Sequence, residues 1–273
     1  MTPAVSLRGA RLAFGERTLW SGLELDVEPG EFVAILGPNG SGKTSLLKVL
    51  LGQLRLTEGE AKIAGTPARA GNSAVGYIPQ QKTIEAGVTL RGRDLIGLGV
   101  DGHQWGVGLR GRRTRRRIVD NVVVEVGAER FVDAPLGTMS GGEQQRLRVA
   151  QALVGDPTVL LCDEPLLSLD LANQSLVAGL IDRRRRSHDT AVLFVTHEIN
   201  PILPLVDRVL YLVDGRFRVG PPGEVMTSRV LSELYRTDVE VLHVRGRLVV
   251  IGTGDAVDAL GSAGGHHPAE DRP

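Results

Sequence analysis

Nine consecutive residues, Gly37, Pro38, Asn39, Gly40, Ser41, Gly42, Lys43, Thr44 and Ser45, satisfy the spacing G-x-x-x-x-G-K-[ST]. Gly37 and Gly42 let the backbone curl so that successive N–H groups face an anion, and Lys43 can reach the β- and γ-phosphates of a nucleotide. Thr44 offers a hydroxyl to Mg²⁺. A second chemical stretch, VLLCDEP, runs from Val159 to Pro165 and delivers the carboxylates Asp163 and Glu164 at the end of an apolar segment. Side chains alternate along an extended chain, so the two acids are expected to point in different directions. One can then serve a metal while the other orients or deprotonates water. A third stretch, MSGGEQQR from Met139 to Arg146, sets Ser140, Gly141 and Gly142 before a helical pattern. Ser140 and Glu143 match an S-x-x-E capping box, and the same hydroxyl and glycine N–H groups make a second anion site at a helix start. One chain has little use for two γ-phosphate cradles unless two chains share nucleotides.

The elements that must position these groups follow from periodicity. The apolar run FVAIL, Phe32 to Leu36, enters the phosphate loop as a strand, and LLKVLLG leaves it as a helix. Short β-like segments SLRGARLAF and LELDV precede it, with a turn at Glu28-Pro29-Gly30. VGYIPQ reads as another buried strand ending at Gln80. Residues 81–139 change character to Gly, Arg and helical patterns and read as an inserted helical lobe. Beyond it come a helix from Glu143 to Val154, the strand VLLC, a helix from Leu171 to Arg186 and the strand AVLFV. Alternating helices and apolar strands imply an α/β fold with a parallel sheet covered on both faces. Two later hairpin signals, around Asp214-Gly215 and around Gly246, suggest a small β appendage. The division expected is a nucleotide-binding core in 1–80 and 140–234, the lobe 81–139, and an appendage with a disordered tail in 235–273.

Composition excludes some partners. Lys plus Arg and Asp plus Glu are both 32 in 273 residues, so no overall charge steers the chain to nucleic acid or an acidic membrane. The basic runs RGRRTRRR (110–117) and RRRR (183–186) read as solvated helix faces. Nothing in the first residues resembles a secretory signal, and about eighteen apolar residues nowhere run together, so the chain is not expected to cross a membrane alone. The single cysteine, Cys162, cannot form an internal disulfide and fits a reducing compartment as an inert buried hydrophobe.

With these stretches the sequence resembles an ATP-binding cassette (ABC) ATPase, from about Val5 to Leu234. GPNGSGKTS looks like the Walker A motif, VLLCDEP like Walker B, and MSGGEQQR like the family signature, with Met139 where leucine is usual. Gln80 is similar to the Q-loop glutamine, Ser168-Leu169-Asp170 to the D-loop and His197 to the switch histidine, while Phe14 falls where an aromatic residue stacks on adenine. Phe14 could equally be a core aromatic. The resemblance implies a P-loop NTPase-type core with an N-terminal antiparallel β-subdomain, ATP and Mg²⁺ as cofactors, and a head-to-tail homodimer bridged by two ATP molecules. It assigns Lys43 to transition-state charge, Thr44, Asp163 and Gln80 to the metal, Glu164 to the general base and His197 to γ-phosphate sensing. Ser140, Gly141 and Gly142 would act on nucleotide held by the other copy.

The cassette also looks like the ATPase of an importer at the cytoplasmic face of a membrane. Integral membrane permease subunits would be its direct partners, an extracytoplasmic solute-binding protein an indirect one, and no nucleic acid is expected. VTHEINPILPLVDRVLYL (195–212) and LLSLDLANQ (166–174) resemble ATPases of zinc and manganese importers, so a divalent metal cargo is the expectation. Nothing in ATP chemistry demands Asn200, Pro201 or Pro204, which read as lineage marks. His266-His267 is no metal site on its own. A different cargo, a soluble ABC protein on nucleic acid and a plain phosphate-loop kinase are the alternatives. The kinase has no use for Ser140 to Gly142.

Overall fold

The computed structural model describes residues 2–80, 88–101 and 112–252. The expected disordered tail with His266-His267, the start of the expected lobe and Arg110 lie outside those residues. The chain opens with the antiparallel pair β1 (Val5–Phe14) and β2 (Arg17–Val27), then β3 (Phe32–Leu36), the phosphate loop and α1 (Lys43–Leu50). Next come β4 (Glu58–Ile63), the short β5 (Thr66–Pro67) and β6 (Val75–Ile78). The helices α2 (Gly92–Asp101), α3 (Arg112–Glu125) and α4 (Gly141–Leu153) follow. Then β7 (Val159–Asp163), α5 (Leu171–His188), β8 (Ala191–Val195), β9 (Arg208–Val213) and β10 (Arg216–Gly220) return the chain through the core. It ends in α6 (Pro222–Val225), α7 (Ser228–Tyr235), β11 (Val239–Val244) and β12 (Arg247–Gly252).

The main sheet has the order β10-β9-β3-β8-β7-β6 and is parallel except for its edge strand β10. Every residue of β3, β7 and β8 is buried, which is why these strands read as unbroken apolar runs. Their alternation divides the interior. Val33, Ile35, Leu161, Leu193 and Val195 pack with α1 under the sheet β2-β1-β4-β5. Phe32, Ala34, Leu160, Cys162 and Phe194 face the opposite core, which holds residues of α4 and α5. A one-residue slip would exchange the two sets, so register is fixed by packing. Phe32 and Phe194 stack with centroids 5.5 Å apart, about 0.5–1.5 kcal/mol beyond their area burial.

The two hairpin signals have different fates. β9 lies beside β3 in the main sheet and carries β10 to its edge, so the Asp214-Gly215 turn belongs to the core and not to an appendage. Its inward residues, including Val209 and Leu210, had the continuous apolar character of a central strand. Only β11 and β12 pair by themselves. Asn200, in the loop after β8, donates to Leu248 O at 2.9 Å and accepts from Leu248 N at 2.8 Å, tying that hairpin to the core. Asn200 therefore has a structural task that its reading as a lineage mark missed.

Among the lobe elements, α2 packs on α4 at close range. A Cβ at Gly92 would meet Leu147 Cδ1 at 2.6 Å, and one at Gly99 would meet Gln151 O at 2.4 Å. The glycines that weaken α2 as an isolated helix admit its neighbour. Arg93 bridges Asp120 of α3 and Asp133, closing the lobe electrostatically.

Candidate active site

The phosphate loop is shaped by positive φ angles at Gly37 (139°), Gly40 (78°) and Gly42 (96°). A side chain at Gly37 would also put Cβ 2.0 Å from Leu212 O, so packing and backbone both require glycine there. The loop ends at the N-terminus of α1, where free N–H groups and the helix dipole favour an anion. Lys43 is buried, its Nζ donating to Gly37 O at 2.7 Å and Pro38 O at 2.9 Å. Burial lowers its pKa, opposed by the charges of Glu164 and Asp163. Ser41 Oγ is buried with no hydrogen-bond partner, and Arg17 Nη2 holds the loop from outside through Gly40 O at 3.1 Å. Asn39 and Gly40 at the loop tip are exposed, while Thr44 and Ser45 are half-buried.

Asp163 ends β7, only 3% exposed, and accepts from Thr44 Oγ1 at 3.1 Å and from the Tyr77 hydroxyl at 3.4 Å. Burial raises its pKa, and the Thr44 hydrogen bond opposes that. Burial and the neighbouring Asp163 push the Tyr77 phenol up to about 12. Glu164 lies beyond the strand with φ 49°, so the two acids diverge because the chain turns into the left-handed region, not through strand alternation as expected. Its Oε1 lies 2.6 Å from His197 Nε2 and its Oε2 accepts from Gln80 Nε2 at 3.2 Å. The His197 hydrogen bond lowers the Glu164 pKa, against the opposing effect of burial. Gln80 thus stands against the second carboxylate, two residues past β6. The Cys162 thiol, fully buried, has its pKa raised by desolvation, which keeps it protonated and unreactive.

A cavity of about 550 Å³ is lined by Gly37, Glu164, Ser168 and His197 on one side and by Tyr211, Met226 and Leu248 on another. Ser140, Gly141 and Gly142 are not among its lining residues. They open α4, where Ser140 Oγ accepts from Glu143 N at 3.3 Å and Glu143 Oε2 accepts from Ser140 N at 2.8 Å, the full capping box. A Cβ at Gly142 would stand 2.3 Å from Asn173 Oδ1, so a side chain there would displace Asn173 from its place beside the helix start. Phe14, at the end of β1, is 52% exposed and is not a core aromatic.

Sequence reasoning passed over Tyr77 and Arg17. Counting back three residues from Gln80 along VGYIPQ would have placed a phenol at the sheet end beside the two acids. Arg17 carried no signal, since its contact depends on how the β1–β2 turn sits over the loop.

A family model described as "ABC transporter" matches residues 20–167. The zinc import ATP-binding protein ZnuC of Pseudomonas savastanoi pv. phaseolicola is 32% identical over 247 residues, covering 89% of this chain and 86% of the relative. The aliphatic sulfonates import ATP-binding protein SsuB 1 of Frankia alni is 37% identical over 227 residues, 83% of this chain and 77% of the relative. Among solved structures, a chain of a metal-chelate type ABC transporter in an inward-facing conformation superposes with TM-score 0.77 at 22% identity, covering 93% of this chain and 99% of that one. Its fold is the fold described above. With a phosphate loop backed by paired acids at its core, and with relatives aligned over most of its length, the chain belongs to the ABC transporter family and is an ATPase.

Proposed function

We propose that this ATPase powers an importer whose permease is a separate polypeptide, that two copies close head to tail on two ATP molecules, and that the cargo is zinc or manganese. The observation that carries the shared-nucleotide reading is the presence in one chain of two helix starts suited to an anion, the end of the phosphate loop at α1 and Ser140 to Gly142 at α4. Glu164 and His197 line a cavity beside Gly37, and Ser140 caps α4 with Gly141 and Gly142 in its first turn. A ligand that touches both starts, one from each copy, favours the closed pair over the open one.

Within each site the roles follow the geometry. Lys43, buried among loop carbonyls, presents its charge to the phosphates, and catalysis rests on positioning and electrostatics. Glu164, held by His197 and Gln80, is the group that accepts the proton of the attacking water. Thr44 Oγ1 and Asp163 Oδ1, 3.1 Å apart, form a hard oxygen pair that fits Mg²⁺. Thr44 and Asp163 would hold Mg²⁺, which neutralises phosphate charge when bound. Gln80 would link that site to the lobe, and Phe14, exposed at the end of β1 and paired with Arg17, would stack on adenine.

No helix among the described residues is long and apolar enough to cross a membrane. We place the chain at the cytoplasmic face of the membrane, docked on permease subunits and reached only indirectly by an extracytoplasmic solute-binding protein. A nucleic-acid role finds little support in the run 183–186. Arg184 is buried against Asp156 and Thr190, Arg185 pairs with Asp182 and Asp207, and Arg186 pairs with Asp182.

Glu164→Gln tests the shared-nucleotide reading. The variant should keep ATP binding, lose turnover and accumulate as a dimer with ATP and Mg²⁺ in light scattering. Adding Ser140→Arg should restore the monomer while sparing nucleotide binding by the single chain. A persistent monomer in the first variant, or lost nucleotide binding in the second, overturns it.

A further inference from the structure

Strand β6 ends beside both acids, with Tyr77 against Asp163 and Gln80 against Glu164. β6 pairs in parallel with β7, with Tyr77 opposite Leu161 and Ile78 opposite Cys162. That register carries the Tyr77 ring past Leu161 so that its hydroxyl donates to Asp163 Oδ2 at 3.4 Å. Asp163 Oδ1 accepts from Thr44 at 3.1 Å. Three residues along the chain, Gln80 Nε2 donates to Glu164 Oε2 at 3.2 Å.

We propose that Tyr77 is a positioning residue for the metal-facing carboxylate of Asp163. The inference rests on the reading of Thr44 and Asp163 as the pair that holds Mg²⁺. Asp163 is buried, so water does not replace a missing donor freely. With a hydroxyl on each oxygen, rotation of the carboxylate about its Cβ–Cγ bond loses a hydrogen bond in either direction. Oδ1 therefore stays against Thr44, where the metal contact forms. Partners of this kind fix the orientation of a ligating carboxylate without touching the metal. The segment also separates two tasks. Gln80 leads into the lobe and holds Glu164, while Tyr77 anchors the same segment to Asp163. A shift transmitted through Gln80 can then release Glu164 and leave the metal pair in shape.

The test uses the full-length protein and Mn²⁺ as the probe, with ADP present and no turnover. Binding is followed by the electron paramagnetic resonance of free Mn²⁺. Tyr77→Phe keeps the ring and removes only the hydroxyl, and should weaken Mn²⁺ binding roughly tenfold. Its affinity for a fluorescent ADP analogue in EDTA should be unchanged, and high Mg²⁺ should restore most of kcat. Ile78→Val, a core change on the neighbouring residue, should leave Mn²⁺ affinity unaltered and so separates positioning from general loosening. Equal Mn²⁺ affinity in wild type and Tyr77→Phe, with clear loss in Asp163→Asn and Thr44→Val, overturns the role of Tyr77 alone. Mn²⁺ affinity that survives Asp163→Asn and Thr44→Val overturns the metal reading first, and this inference with it. Equal loss in Ile78→Val and Tyr77→Phe also counts against positioning.

Discussion

Glu164, the base we propose, has partners on both of its oxygens, His197 Nε2 at 2.6 Å and Gln80 Nε2 at 3.2 Å. The His197 contact holds its pKa below the ordinary carboxylate value. A carboxyl depressed in the folded state contributes stability that is present above its unfolded pKa and lost as pH falls through the folded one. Removing the donor should therefore cost stability in a defined window. The ligand-free melting temperature of His197→Ala should lie below wild type near neutral pH, by about 2–4 °C for each kcal/mol lost. The gap should shrink as pH falls below the ordinary carboxylate range, where Glu164 takes up a proton in both proteins. A gap that stays constant down to acid pH would show that His197 acts by packing and not through the Glu164 charge. The residues of this site were legible because phosphate chemistry constrains backbone as well as side chain. Gly37 must be glycine for its φ of 139° and for the approach of Leu212, and such demands leave a pattern in a single sequence. Tyr77 left none. Its contact with Asp163 spans 86 positions and exists only because β6 pairs with β7.

At the scale of elements, periodicity located the buried strands well, because β3, β7 and β8 are apolar on both faces and bounded by turns. It could not say which sheet a hairpin joins. β9 and β10 looked like an appendage, but β9 pairs with β3 across more than 170 positions, a contact no local pattern encodes. The structural task of Asn200 was hidden for the same reason, since its two hydrogen bonds go to Leu248. In α2 the glycines argue locally against a helix and are explained by its neighbours, α4 at Gly92 and Gly99 and Arg115 of α3 at Gly97. We propose that the start of α2 carries the surface a permease would meet. Arg91, Asp94 and Leu98 fall at helical spacing and are exposed, Leu98 by 50%. Arg93 is committed to Asp120 and Asp133, so changing it would loosen the lobe as well as any docking. Asp94→Arg combined with Leu98→Glu should reduce copurification with the permease severalfold and leave basal ATPase activity intact. Undiminished copurification would move the docking surface elsewhere.

At the scale of the whole molecule, the engine and its cargo are specified in different places. The features that turn ATP binding into motion lie in this chain, whereas no residue of the nucleotide site needs to differ between a metal importer and an importer of an organic anion. The relatives reflect this. A zinc import ATPase aligns over 89% of the chain at 32% identity, and an aliphatic sulfonate import ATPase aligns over 83% at 37%. What favours the metal is the resemblance of the stretch 195–212 to zinc and manganese importer ATPases. The structure gives part of that stretch a physical reason, because Asn200 clamps the β11–β12 hairpin and Pro201 lines the cavity beside His197. The expected outcome is that cells lacking this subunit accumulate less zinc or manganese under depletion, grow poorly with a chelator, and recover when the metal is resupplied or the gene restored. Complementation with Lys43→Ala should fail, since the phosphate-facing charge is gone. Undiminished accumulation of both metals, with growth on aliphatic sulfonates as sulfur source abolished, would assign the engine to the other cargo and leave the ATPase chemistry untouched.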